Sequence, residues 1–294
     1  MFAKIHSSMQ ALMPELPEVE TIRLGLQKYL VGHKILEVKI NSAKVFTGNV
    51  NDVVGGKIKK VRRFAKVLVI DLSNSKSLTI HVKMTGQLIY RGPKLKEKVQ
   101  LSSKVAGGIP GPHSLVIFKL DKNGVLYFND LRRFGWIKVM KTYQVEKEGF
   151  VSRLGPEPFK DLTLEKFVQI LSKYKTYIKV VLMDQAKIAG IGNIYANESL
   201  WLTKINPRTP ASSLSKKQIE ELYKNLLEVL KKGIKYGGAS ENMFVTAEGK
   251  EGTFQEHFFV YAQQGKLCKR CKKVKIQKNF LGGRGTYLCP NCQK

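Results

Sequence analysis

Hydrophobic positions change rhythm twice along this chain. In Pro14–Leu30, residues Leu16, Val19, Ile22, Leu26 and Leu30 recur at three- and four-residue steps, the spacing of one helix face. Pro14 and Pro17 stand at its start, where a missing N–H costs least, and Gly32 stops it. From Lys34 to Lys141 the texture is that of strands: Lys34–Ile40, Lys57–Leu72, Leu78–Tyr90, Leu115–Leu120 and Val125–Asn129 are rich in Val, Ile, Leu and Tyr, partly alternating with polar residues. Asp121-Lys122-Asn123-Gly124 is a hairpin turn signal, and Gly92 to Pro112, rich in Lys, Ser, Gly and Pro, predicts a long exposed loop. This block predicts a β-sandwich or barrel of about eight strands preceded by one helix.

The second change comes at Glu146 to Lys160, where Gly149, Gly155, Pro156 and Pro158 mark a linker. Helices follow. Leu164 to Tyr174 carries an apolar stripe, Tyr177 to Asp184 and Asn193 to Leu202 flank the glycine-bearing turn Ala189-Gly190-Ile191-Gly192, and Ser215-Lys216-Lys217-Gln218 has capping-box form for a helix running to Tyr236. The expected organisation is α+β: an extension or misplaced start at 1–12, an N-terminal β-sandwich with a leading helix at 13–145, a linker at 146–160, a helical domain at 161–254, and a short terminal module at 255–294.

Composition adds a partner class. Hydrophobic residues make up 43% of the 294, enough for real cores. Fifty-one Lys+Arg against twenty-three Asp+Glu give +28, a self-repelling charge that a polyanion would relieve, although a lysine-rich proteome would also produce it. No run of about eighteen apolar residues is present, so no membrane span is expected. Met1 to Leu12 lacks the apolar stretch of a secretion signal. A soluble, intracellular protein is expected.

All four cysteines fall near the end, as Cys268-x-x-Cys271 and Cys289-x-x-Cys292. Paired knuckles at this spacing predict one tetrahedral Zn2+ on four thiolates, a closed structural site without a position for a reacting water. A tail this short needs such a clip because its apolar core is small. Between the knuckles, Gly282-Gly283-Arg284-Gly285-Thr286 reads equally well as a hairpin tip offering an arginine fork to phosphate and as an ordinary solvated turn. Asp130-Leu131-Arg132-Arg133-Phe134 and Lys83-Met84 each suit a wedge into a base stack, yet on pattern alone a core position is favoured for both Phe134 and Met84. Lys57 to Lys66 carries six basic residues, a phosphate track or a solvated strand face. Glu15, Glu18 and Glu20 read most simply as acids favoured at a helix N-terminus.

Met13-Pro14-Glu15-Leu16-Pro17-Glu18-Val19-Glu20-Thr21 closely resembles the start of the bacterial formamidopyrimidine-DNA glycosylase family. The resemblance continues in order through Arg62-Arg63-Phe64-Ala65-Lys66, His81-Val82-Lys83-Met84-Thr85-Gly86, Asp130 to Gly135, Leu154-Gly155-Pro156-Glu157-Pro158, Gly190 to Ala196 and the cysteine knuckles. It implies an N-terminal β-sandwich, a helical domain with a helix-two-turns-helix element, a zinc-ribbon hairpin, and double-stranded DNA in the cleft between the halves. It further implies a base-excision repair enzyme that removes 8-oxoguanine and formamidopyrimidines and then acts as an abasic-site lyase. A monomer in the bacterial cytoplasm, associated with the nucleoid, is expected.

The resemblance also assigns roles. Pro14 would attack C1′ with a secondary amine once Met13 is removed, and Glu15 would be the acid assisting ring opening. Lys66 and Arg284 match the residues given proton-donor or phosphate-holding roles; a permanently charged arginine is a poor donor, so Arg284 is read as a phosphate clamp. Met84, Arg132 and Phe134 match three residues that fill the space left by an extruded nucleotide. Asn193 and His113 match DNA contacts. Departures lie at Tyr174, where the family has a lysine, at Ala239, and at Tyr261-Ala262-Gln263. At the front, an upstream extension would lock the Pro14 nitrogen in an amide. A start at Met13 is the simpler expectation, processing the second, and an inactive binder of damaged DNA the third. A relative acting on oxidised pyrimidines is the competing enzyme, and the Pro-Glu-Leu-Pro-Glu-Val-Glu start speaks against it.

Overall fold

The computed structural model describes residues 13–95 and 99–294. Met1 to Leu12, where an extension or misplaced start is expected, lie outside the described residues. Helix α1 (Leu16–Leu30) starts two residues inside the predicted limit. Glu15 precedes it, and its N–H donates to the Glu18 carboxylate at 2.9 Å, which satisfies a donor that the helix start leaves without a partner. The apolar face of α1 serves two cores. Val19, Ile22, Leu26 and Leu30 pack into the sandwich. Leu16 packs into the helical core instead.

Nine strands precede the linker among the described residues. They are β1 (Ile35–Ile40), β2 (Phe46–Thr47), β3 (Ile58–Phe64), β4 (Val67–Leu72), β5 (Lys76–His81), β6 (Gly86–Arg91), β7 (Ser114–Leu120), β8 (Val125–Asp130) and β9 (Trp136–Lys141). One sheet has the order β1-β7-β8-β6 and the other β2-β9-β5-β4-β3, antiparallel apart from the short β2·β9 pair. Leu68, Ile70, Leu78 and Ile80 from one sheet meet Leu88, Val116, Phe118 and Phe128 from the other, which makes the block a sandwich.

Two sequence-derived strands are corrected. Lys57–Leu72 is a hairpin, β3 and β4, closed by Ala65 and Lys66, with Ala65 at φ +52°. That turn lacks the usual glycine or asparagine, so periodicity alone ran through it. Leu78–Tyr90 likewise splits into β5 and β6, which belong to different sheets. The chain crosses between them in a tight turn with Lys83 at φ +52° and the Gly86 N–H donating to the Val82 carbonyl at 2.8 Å. A Cβ on Gly86 would lie 2.3 Å from that carbonyl, so this turn requires glycine.

After the linker come α2 (Leu164–Ser172), α3 (Ile178–Met183), α4 (Asn193–Leu202) and α5 (Lys216–Lys235). Ser215 caps α5 as its sequence predicts, with Gln218 returning a bond to the Ser215 N–H at 2.9 Å. Helix α4 is buried over almost its whole length and joins three parts of the molecule. Its N-terminus receives Glu15 from the sandwich side. Its Asn197 Oδ1 accepts the Tyr287 N–H at 2.9 Å, and its Glu198 carboxylate accepts the N–H groups of Phe259, Val260 and Tyr261 at 2.7–2.9 Å. The terminal module is a hairpin of β10 (Gln277–Leu281) and β11 (Arg284–Leu288). Gly282 and Gly283 form its turn at φ +57° and +69°, the two left-handed positions that a two-residue hairpin of this hand needs. No helix of the described residues is long and apolar enough to cross a membrane.

Candidate active site

Glu15, which directly precedes α1, is 2% exposed. Its carboxylate reaches the N-terminus of α4, accepting the N–H of Ile194 at 2.8 Å and of Tyr195 at 3.4 Å. The sequence arranges this approach with Gly192, where a Cβ would stand 2.3 Å from the Glu15 carboxyl carbon. Burial pushes the Glu15 carboxyl up to about 7; the Lys66 ammonium opposes that rise and the nearby Glu18 adds to it. Glu18 is buried as well, and burial raises it despite bonds from the Ala239 N–H at 2.8 Å and the Tyr195 hydroxyl at 2.8 Å. Pro14 is buried beside Glu18, Ile194 and Asn242.

Lys66 leaves the β3–β4 turn, 5% exposed, and donates to the Ile191 carbonyl at 2.8 Å. Burial holds its ammonium below the usual lysine range, with Glu15 pulling the other way. The turn itself is clamped. Glu157, from the linker, accepts the Ala65 N–H and pairs with Arg63 at 2.7 Å. Arg63 also binds Glu20 on α1 at 2.7 Å and the Ala65 carbonyl at 2.9 Å.

Across from these, Lys179 on α3 donates to the Gly285 carbonyl at 2.8 Å and to the Thr286 hydroxyl at 2.7 Å. These bonds seat the hairpin that carries Arg284. Burial brings the Lys179 ammonium down to about 7. Glu15, Lys66, Lys179, Arg284, Met84 and Asn193 all line one cavity of about 710 Å³. One buried carboxyl with a raised pKa therefore faces three basic groups in a space large enough for a nucleotide.

Met84, Arg132 and Phe134 come from two turns that the fold brings together. The Arg132 guanidinium lies 4.7 Å from the Phe134 ring centroid and 3.7 Å from the Met84 sulfur. Buried Asp130 organises both turns: it accepts the Gly135 N–H at 2.7 Å and the Arg132 N–H at 3.2 Å, and the Thr85 hydroxyl donates to it. His81 supports the Met84 turn from behind. Its Nδ1 accepts the Lys83 N–H at 3.0 Å, and burial between Trp136 and Phe150 lowers its pKa to about 3. Phe134 is 47% exposed, so the core assignment favoured by pattern does not hold for it. His113 and Phe134 do not line the cavity; the His113 carbonyl accepts the Asp130 N–H at 2.9 Å, which puts it beside the same two turns. Asn193 is 8% exposed at the first turn of α4.

At the far end, the Sγ atoms of Cys268, Cys271, Cys289 and Cys292 lie within 4.8 Å of one another. Cys268 and Cys292 are 3.9 Å apart, and Cys271 and Cys289 3.8 Å. A tetrahedron of Zn–S bonds of about 2.3 Å has edges of about 3.8 Å, so the four sulfurs fit one zinc with no position left open. The zinc is structural and holds the module whose hairpin presents Arg284.

Profiles of three domains match in order: the formamidopyrimidine-DNA glycosylase N-terminal domain over residues 13–137, the formamidopyrimidine-DNA glycosylase H2TH domain over 154–245, and the zinc finger found in FPG and IleRS over 265–294. The chain belongs to the formamidopyrimidine-DNA glycosylase family. A formamidopyrimidine-DNA glycosylase of Pelotomaculum thermopropionicum is 38% identical over 96% of this chain and 99% of its own. The Lactococcus lactis Fpg solved with DNA containing N7-benzyl-Fapy-dG superposes with a TM-score of 0.83 at 32% identity, covering 96% of this chain and all of that one. The same protein solved with abasic-site DNA gives 0.82 at 33% identity, over 95% and 99%. The mixed fold of sandwich, helical H2TH region and zinc finger is that of the formamidopyrimidine-DNA glycosylases.

Sequence reasoning passed over several residues that the cavity uses. Lys179 was available as a lone lysine inside the apolar run Ile178 to Leu182. In the sequence Asp130 stands only as one member of a motif, and its organising role follows from burial that no pattern gives. Glu241, Asn242 and Lys278 also line the cavity. They sit in segments without periodicity, so nothing singled them out.

Proposed function

We propose that this DNA glycosylase removes oxidised purines, 8-oxoguanine and formamidopyrimidines, from duplex DNA through a Schiff base at Pro14, and then cleaves the backbone by β,δ-elimination. The observation that carries the reading is the buried Glu15 carboxyl, adjacent in sequence to Pro14 and sharing a cavity with Lys66 and Arg284. Residues 13–145 would supply the chemistry, 161–254 the DNA grip, and 255–294 the phosphate clamp.

The Pro14 nitrogen, freed by a start at Met13 with removal of that methionine or by processing of a longer chain, attacks C1′ as the C1′–N bond to the base breaks, and the base leaves with a proton. The amine loses its own proton. Glu15 then gives its proton to O4′, the C1′–O4′ bond opens, and the nitrogen lone pair forms an iminium. A raised carboxyl pKa keeps that proton available near neutrality. The iminium acidifies C2′–H. Loss of that proton expels the 3′ phosphate, and a second elimination expels the 5′ phosphate. Lys66 lies in reach of this centre as a proton carrier, and Arg284 holds phosphate.

A base inside a duplex shields C1′, so the nucleotide must be extruded. Met84 would fill the space, Arg132 would pair with the orphaned base, and Phe134 would wedge the stack, with Asn193 and His113 on the backbone. The reading fits a monomer working at the bacterial nucleoid. Comparing single-turnover excision from 8-oxoguanine·cytosine and thymine-glycol duplexes tests it. Faster release of 8-oxoguanine is expected; a preference for thymine glycol would replace the substrate class.

A further inference from the structure

Three consecutive residues between α3 and α4 support every group of the proposed attack. The Gly190 carbonyl accepts the Leu16 N–H at 3.0 Å, which fixes the chain directly after Pro14 and Glu15. The Ile191 carbonyl accepts the Lys66 ammonium at 2.8 Å. Gly192 precedes α4, whose first N–H groups hold the Glu15 carboxylate. Gly190 stands at φ +92°, and a Cβ on it would meet Leu16 Cδ1 at 2.7 Å, so the close approach of this loop to α1 requires glycine. Glycine also leaves a backbone pliable, so the loop's shape must be held from outside.

Gln185, just past the end of α3, holds it. Its Oε1 accepts the Gly190 N–H at 2.9 Å, and its Nε2 donates to the Ile191 carbonyl at 2.7 Å and to the Met183 carbonyl at 2.9 Å. The acceptor and both amide hydrogens are used, and only one orientation of the amide serves all three backbone groups. The Ile191 oxygen that Gln185 grips is the one that holds Lys66. The backbone here is anchored as well: the Gly155 N–H donates to the Gln185 carbonyl at 2.9 Å, and the Ala189 N–H to the Pro156 carbonyl at 3.0 Å. Gln185 lines the cavity, yet it carries no charge and no step of the proposed reaction uses it.

Building on the function proposed above, we infer that Gln185 is a positioning residue for Schiff-base formation: its amide locks residues 190–192 and thereby sets the Lys66 ammonium and the Pro14–Glu15 segment against the abasic sugar. Displacing a reacting group by about 1 Å costs about 10²-fold in rate, and hydrogen bonds from rigid neighbours are what prevent such a displacement. The brace acts on rate rather than on affinity. Arg284, Arg132 and Phe134, which face the DNA in the same reading, hang from other elements and keep their places without it.

The test uses the chain that begins at Pro14, as wild type, Gln185→Met and Gln185→Glu. Methionine keeps the length and bulk of the side chain and deletes all three bonds. Glutamate keeps an acceptor for Gly190 and turns a second acceptor on the Ile191 carbonyl. The readouts are the single-turnover rate of borohydride-trapped adduct formation on an abasic duplex, the dissociation constant for a duplex with a tetrahydrofuran abasic analogue, and hydrogen exchange of the peptides holding Leu16 and Gly190. Both variants should trap about 10²-fold more slowly, bind within about twofold of wild type, and lose amide protection in those two peptides. Trapping at the wild-type rate in either variant overturns the inference. Equal losses in rate and affinity also overturn it, because they would make Gln185 a general support of the DNA-binding surface. Wild type separates the two levels. An adduct on wild type with unaltered rates in the variants removes only the positioning role, whereas no adduct on wild type removes the underlying function.

Discussion

The carboxylate of Glu15 accepts the backbone N–H of Ile194 at 2.8 Å, a bond between residues 179 positions apart. It places the acid next to Pro14 on the end of a helix from the other half of the molecule. The helix N-terminus favours the anion, burial disfavours it, and burial wins, leaving the carboxyl near 7. The group is therefore protonated below that pH and loses its proton as pH rises through it. Single-turnover excision should decline on the alkaline side with a midpoint near pH 7. Glu15→Gln should lower excision by about 10²–10⁴-fold and abolish that limb, the range for a lost general acid. A pH–rate series on both proteins checks this; an unchanged alkaline limb in the variant would assign it to another group.

Gly192 offers a steric test of the same geometry. Its φ of −135° suits any residue, so alanine there strains no backbone. The added Cβ would meet the Glu15 carboxyl carbon at 2.3 Å and must displace it. Gly192→Ala should reduce excision by about 10²-fold, the usual cost of displacing a reacting group by about 1 Å. Thermal melting should move by no more than about 2–4 °C. Full activity in the variant would show that Glu15 need not sit where it does.

How much of this could be read from residues alone differs by part. The helix face Leu16–Leu30, the capped α5 and the zinc knuckles were legible because each rests on local spacing. The β3–β4 and β5–β6 turns were not. Ala65 and Lys83 adopt left-handed backbone that their identity does not announce; a long-range clamp from Glu157 holds the first, and a local bond to the buried His81 ring holds the second. Those same turns deliver Lys66 and Met84. The family resemblance named both residues, whereas periodicity placed them inside strands. Glu15 shows the reverse: pattern gave it an ordinary role as a helix-start acid, and only its burial against α4 separates it from Glu20, which pairs with Arg23 and Arg63.

Zinc removal should act through Arg284. The four sulfurs close the module, and Lys179 fastens its hairpin through Gly285 and Thr286. Native mass spectrometry should find one zinc per chain. Chelation or Cys268→Ser should weaken binding to an abasic-analogue duplex about tenfold or more, while the sandwich keeps its circular dichroism. Unchanged affinity after metal loss would remove the finger from the DNA contact.

Phe134 is half-exposed and braced by Arg132, with no core to support. An aromatic stacked on a base contributes about 1–3 kcal/mol, so Phe134→Ala should weaken binding to lesion-containing duplex by roughly tenfold. Melting temperature should not change. Fluorescence anisotropy and a thermal scan on the same preparation check both; a large stability loss with unaltered affinity would return Phe134 to a packing role.

The account turns on the Pro14 nitrogen as the attacking group. The decisive measurement is borohydride trapping on an abasic duplex with a chain whose first residue is Pro14, followed by peptide mapping of the adduct. A single covalent adduct on Pro14, absent from a chain that retains Met1–Met13, is the expected result. Trapping on Lys66 or another amine, or equal trapping by the extended chain, would contradict it.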